Sequence, residues 1–166
     1  MDMPSREMPV ELSKDHLELL SALNGQDVKY LVIGGYAVGV HSEPRATKDL
    51  DVFIRQDEQN SEAVFRALAS FGAPLAGLTA ADFNDGKSFF QMGQPPHRAD
   101  VLQAISGVEF DECYERRVYA VVNGSLTVPV ISAVDLVKNK RTVGRLRDLA
   151  DVEDILEAQQ ALKKEQ

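Results

Sequence analysis

From Asp49 to Ile54 the residues alternate as on a strand, with Leu50, Val52 and Ile54 on one face and Asp49, Asp51 and Phe53 on the other. Both carboxylates therefore project the same way, their backbone positions ~6.5–7 Å apart, because same-face neighbours are two steps of ~3.3 Å. Like charges placed side by side are costly to bury unless a cation neutralises them. Such a strand is thus either solvent-facing or a holder of a hard metal ion. Taken alone, an exposed polar face on an edge strand is the commoner explanation of an acid-x-acid pair.

The flanking residues narrow the choice. Upstream, Val28-Lys29-Tyr30-Leu31-Val32-Ile33 is an apolar, β-branched run ended by Gly34-Gly35, a buried strand feeding a glycine turn. A short helix over 36–41 follows, with Ala37 and Val40 on one side, and Pro44 breaks the chain. A strand, a glycine turn and a helix start place free backbone N–H groups and the positive end of a helix dipole where an anion can sit. A lone Gly-Gly is equally a plain strand-to-helix turn that needs glycine for its dihedrals.

The remaining pattern is mixed. Ser13 caps a helix with Asp15 in its first turn and Leu17, Leu20 and Leu23 at helical spacing, stopping near Gly25. A second helix spans about 58–71, with Val64, Ala67, Leu68 and Phe71 on its apolar side and Gly72 as its stop. Strands are expected at 88–92 and 98–103, a short helix near 109–115, and two strands at 117–122 and 126–131 joined by the hairpin signal Asn123-Gly124. Ser132 with Asp135 opens a helix to about Val143, and a last helix runs from about Arg145 to Lys163. The expectation is an α/β (α+β) domain with a mixed twisted sheet flanked by helices. Residues 1–12 form a loosely held arm, 13–131 the core, and 132–166 a helical segment packed on the core.

The chain has 166 residues and a formal net charge of −8, enough for one core and a poor match to non-specific duplex DNA. No run approaches the ~18 apolar residues of a membrane span, and Met1–Glu7 lacks the order of a signal peptide, so no membrane partner and a cytoplasmic location are expected. Cys113 is the single cysteine and His16, His41 and His97 are scattered, so any metal is expected to be held by carboxylates. Against the negative balance, the stretch from Lys138 to Arg147 holds five cations and no acid.

The run from Gly34-Gly35 through Arg45-x-Thr47 to Asp49-x-Asp51 resembles the signature of the polymerase-β-like nucleotidyltransferase superfamily. More narrowly, it looks like the bacterial branch of AbiEii-type toxin and lincosamide nucleotidyltransferases. Arg98-Ala99-Asp100-Val101-Leu102 fits the place of the superfamily's third carboxylate. The segment from Ser132-x-x-Asp135-Leu136 to Arg145-x-x-Asp148-Leu149-x-Asp151 is similar to the one that follows the catalytic core in these proteins. Where the superfamily's commonest signature has Gly-Ser, this chain has Gly34-Gly35-Tyr36.

The resemblance implies the nucleotidyltransferase fold and transfer of a nucleoside monophosphate from an NTP, with pyrophosphate leaving. It makes Asp49, Asp51 and Asp100 the catalytic ligands of two Mg²⁺ ions. Gly34, Gly35, Arg45, Thr47, Lys138 and Arg141 become nucleotide contacts. The acceptor is an RNA end, a protein or a small molecule. One version of the activity is the toxin of a toxin–antitoxin pair, with an antitoxin protein as partner. The competing reading is a non-catalytic module on the same fold that binds nucleotide or protein without turnover.

Overall fold

The computed structural model describes residues 5–7, 11–43, 49–94 and 97–165. Arg45 and Thr47 lie outside the described residues. Among the described residues seven strands form one mixed sheet: β1 (Ser5–Glu7), β2 (Tyr30–Ile33), β3 (Leu50–Ile54), β4 (Phe89–Met92), β5 (Ala99–Leu102), β6 (Val118–Val122) and β7 (Leu126–Val130), in the spatial order β1-β6-β7-β2-β3-β5-β4. The helices are α1 (Lys14–Gly25), α2 (Gly34–His41), α3 (Glu58–Phe71), α4 (Phe110–Glu115), α5 (Ala133–Val143) and α6 (Leu146–Lys164), with a 3-10 turn at Ala80–Phe83.

The central strands β2 and β3 run antiparallel; the apolar run of β2 is wholly buried, and in β3 Leu50, Val52, Phe53 and Ile54 are buried while Asp51 is only partly so. On one side β2 joins β7 in parallel; on the other β3 joins β5 in parallel. Asn123 and Gly124, with φ of 48° and 74°, turn β6 into β7, the positive dihedrals that a tight hairpin demands. Helix starts follow the capping chemistry of the sequence. The Ser13 hydroxyl accepts from the His16 N–H, the Asp57 carboxylate from the Asn60 N–H, and the Ser132 hydroxyl from the Asp135 N–H. Ser5–Glu7, within the segment expected to be a loose arm, adds a strand at the β6 edge of the sheet.

α1 packs with α3, while α5 and α6 form a hairpin against α2. The hairpin is closed by buried charge. Lys140 places its ammonium 3.4 Å from Asp148 and 2.9 Å from Asp151, all three side chains at most 10% exposed. Arg145 adds a second cation on Asp148 at 2.7 Å. At the other end of α5, Arg116 grips the buried Asp135 with two bonds of 2.9 and 2.8 Å. Lys140 and Arg145 of the basic stretch are therefore committed to carboxylates of their own hairpin.

Removing one partner of a buried ion cluster strands the rest, at a cost of about 3–5 kcal/mol. Lys140→Met is expected to lose stability of that order in urea denaturation, whereas Lys138→Met, at an exposed position on the same helix, stays within about 0.5 kcal/mol. The Arg145 hydrogen bonds and the Lys140 ammonium hold the Asp148 carboxyl below its usual range. Its contribution to stability is complete above the ordinary carboxylate pKa and is lost as the pH falls through its own lower value. A plot of unfolding free energy against pH in the Asp148→Asn variant is expected to lose that acid-side slope.

Candidate active site

The pairing register gathers the acids. Ile33 at the end of β2 faces Asp51 on β3, and Asp51 faces Asp100 on β5. In a parallel pair, directly opposed residues point to the same face, so the two carboxylates lie side by side. Asp49, immediately before β3, is close enough to act on both Asp51 and Arg98. Asp51 and Asp100 thus oppose one another, with Asp49 nearby, at the end of the sheet where β2 ends and α2 begins.

Burial makes this arrangement electrostatically tense. Desolvation, together with the Asp100 and Asp49 charges beside it, pushes the Asp51 carboxyl up to about 7. A compensating charge comes from Arg98, whose Nε and Nη2 stand 3.4 and 3.5 Å from the two oxygens of Asp100. Among the described residues, no three His, Cys, Asp or Glu side chains form a ready-made metal cage. The donor set nonetheless suits a hard divalent cation. It consists of carboxylate oxygens, it is partly buried, and its like charges repel in the absence of added positive charge.

Gly34 fits against this cluster as no other residue does. Its φ is +67°, and a Cβ built there would run into the Asp51 carboxylate and lie 3.2 Å from its Cγ. Gly34 and Gly35 form the first turn of α2, so the free N–H groups of a helix start and its positive dipole end lie at the acids.

A network the sequence did not single out sits behind the cluster. His16 of α1 is buried; its Nε2–H donates to the Arg98 carbonyl at 3.0 Å, which leaves Nδ1 to accept from the Tyr36 hydroxyl at 3.3 Å. Burial pushes the imidazole pKa down and keeps it in that neutral form. Tyr36, on the first turn of α2, is in turn pushed up by burial and by Asp49. One ring therefore ties α1, the start of α2 and the residue that covers Asp100. The lone histidine on an apolar helix face was the only signal of it in the sequence.

Lys138 and Arg141 are placed differently. α5 starts beside β2, with the Ile131 N–H donating to the Val32 carbonyl, and Asn139 near its far end donates to Ser106 in the loop that follows β5. The helix therefore runs away from the end of the sheet that bears the acids. Lys138 and Arg141 line a groove of about 650 Å³ between α5 and α6, together with Val134, Leu156, Gln159 and Lys163, and none of the three aspartates lines it.

Gly34→Ala is expected to destabilise the fold by more than Gly124→Ala, which has the same left-handed φ and open space around its Cβ. Gly124→Ala reports the backbone cost alone, about 1 kcal/mol. The excess at Gly34 is expected to shrink when Asp51 is also truncated to Ala, as a double-mutant cycle in urea would measure.

Two solved structures share this architecture. The lincosamide antibiotic adenylyltransferase LnuA, solved with lincomycin bound, aligns with a TM-score of 0.57 at 14% identity, covering 89% of this chain and 98% of that one. A candidate nucleotidyltransferase from Thermotoga maritima aligns with a TM-score of 0.54 at 13% identity, covering 89% and 96%. At such identities the likeness is one of fold. Comparison with curated proteins finds no match. The family described as "Nucleotidyltransferase of unknown function (DUF6036)" matches residues 11–161, and the chain belongs to that nucleotidyltransferase family.

Proposed function

We propose that this protein transfers a nucleoside monophosphate from an NTP to an acceptor hydroxyl or phosphate in a Mg²⁺-dependent reaction. The observation that carries the reading is the register of β3 against β5, which sets Asp51 beside Asp100 at the foot of a glycine-started helix. Asp49, Asp51 and Asp100 would hold the cations, which when bound neutralise the attacking and leaving oxygens of an in-line displacement. The N–H groups of the Gly34-Gly35 turn receive triphosphate oxygens. Arg45 and Thr47 join them by resemblance.

The acceptor oxygen forms a bond to the α-phosphorus as the bond to pyrophosphate breaks. For a hydroxyl acceptor, its proton passes to a carboxylate of the cluster, Asp100 in this proposal. Lys138 and Arg141, set off from the acids, serve the acceptor side or the outer phosphates. With a net charge of −8 the surface favours a small-molecule or protein acceptor, while the Lys138–Arg147 stretch keeps an RNA end in play. No helix among the described residues is long and apolar enough to cross a membrane.

Incubation with α-labelled NTPs, Mg²⁺ and, in separate reactions, total RNA, a protein lysate and a small-molecule panel tests the proposal. Label is expected on one acceptor class and is expected to fall ~10³-fold or more in Asp51→Asn, the size of effect that lost metal electrostatics produces. Label on RNA or protein is what a toxin role, with its antitoxin, requires. Label on a small molecule gives a modifying enzyme. Mg²⁺-dependent thermal stabilisation by NTP with no acceptor labelled would favour the non-catalytic module instead.

A further inference from the structure

Arg98 stands two residues before Asp100 on the strand side, so both side chains lie on the same face of the extended chain. Its guanidinium spans both Asp100 oxygens, and its charge is also felt by Asp51 and Asp49. The contacts are long, at 3.4 and 3.5 Å, and the Arg98 side chain is 37% exposed against 15% for Asp100. The pair is therefore a loose, partly solvent-exposed contact over a half-buried carboxylate. The backbone of Arg98 is held in place, because its carbonyl accepts from both the His16 ring and the Leu50 N–H, each at 3.0 Å. With its backbone held separately, the guanidinium can leave Asp100 without breaking those main-chain contacts.

We propose that Arg98 is an exchangeable counter-ion of the aspartate cluster, competing with the divalent cation for Asp100 and passing to a phosphate group of the nucleotide when the cation takes its place. This rests on the reading of the three acids as the cation site. The cluster carries three carboxylates, and Arg98 is a cationic side chain that reaches Asp100 within it. Arrival of a divalent ion makes that role redundant. The displaced guanidinium is then a planar fork of donors at the mouth of the site, the group best suited to a phosphate oxygen. One residue would in this way link the order of events, since the site that binds metal is also the site that frees an arginine for the triphosphate.

The proposal predicts effects of opposite sign on two ligands, a signature that a merely structural role does not produce. In Arg98→Met, which keeps the apolar stem and removes the charge, Mn²⁺ binding followed by electron paramagnetic resonance is expected to tighten about two- to fivefold, the scale of a partly exposed ion pair. In saturating Mg²⁺ the same variant is expected to bind NTP more weakly by calorimetry. Arg98→Lys, which retains the charge, is expected to return both affinities toward the wild type. Mn²⁺ affinity that is unchanged or reduced in Arg98→Met, or two affinities that move in the same direction, overturns the proposal while leaving the cation site standing. Mn²⁺ binding that survives intact in Asp51→Asn overturns the cation site itself, and Arg98's role with it.

Discussion

The parallel register between β3 and β5 places two carboxylates, Asp51 and Asp100, opposite one another at the edge of the interior. Everything distinctive about this end of the molecule answers that repulsion. Gly34 gives up its side chain so that Asp51 has room. Arg98 leans over Asp100. The start of α2 turns its positive end toward the same place, and a neutral histidine holds the strand entry from behind. A fold that merely needed a sheet would gain by replacing these acids with apolar residues, since buried like charges raise the free energy of the folded state. Their presence is the ground for proposing a site here.

Charge elsewhere follows the opposite logic. The α5–α6 hairpin also buries acids, yet each is matched: Asp148 and Asp151 by Lys140, Asp148 again by Arg145, Asp135 by Arg116. These clusters are closed and mutually satisfied, and they fix how the hairpin folds. The hairpin acids are matched by cations of their own hairpin, whereas Asp51 and Asp100 oppose one another across the sheet, and this contrast underlies the proposal that the chemistry lies on the sheet of this member of a nucleotidyltransferase family.

Much of this was legible from residue order. Apolar spacing defined α3 from Glu58 to Phe71 because its stripe is uninterrupted and Gly72 stops it in the left-handed conformation. Asn123-Gly124 announced the β6–β7 hairpin, since positive dihedrals at both positions admit few other residues. Alternation put Asp49 and Asp51 on one face. The meeting of Asp51 with Asp100 rested on resemblance, because neither segment alone encodes the pairing of β3 with β5 that brings them together. What escaped was set by distant partners. Ser5–Glu7 carries no periodicity of its own and is a strand only because the β6 edge is there to pair with it. Lys140 reads as one solvated cation among five until the hairpin folds two aspartates around it. His16 meets the Arg98 carbonyl across 82 residues of chain, a contact that no local pattern encodes.

The central claim is that the opposed aspartates are a cation site. Anomalous diffraction from crystals grown with Mn²⁺ tests it most directly. A peak is expected within ligating distance of both the Asp51 and Asp100 carboxylates, about 2.0–2.6 Å from their oxygens for a hard divalent ion. Mn²⁺ bound elsewhere, with Asp51 and Asp100 left to each other and to Arg98, would contradict it.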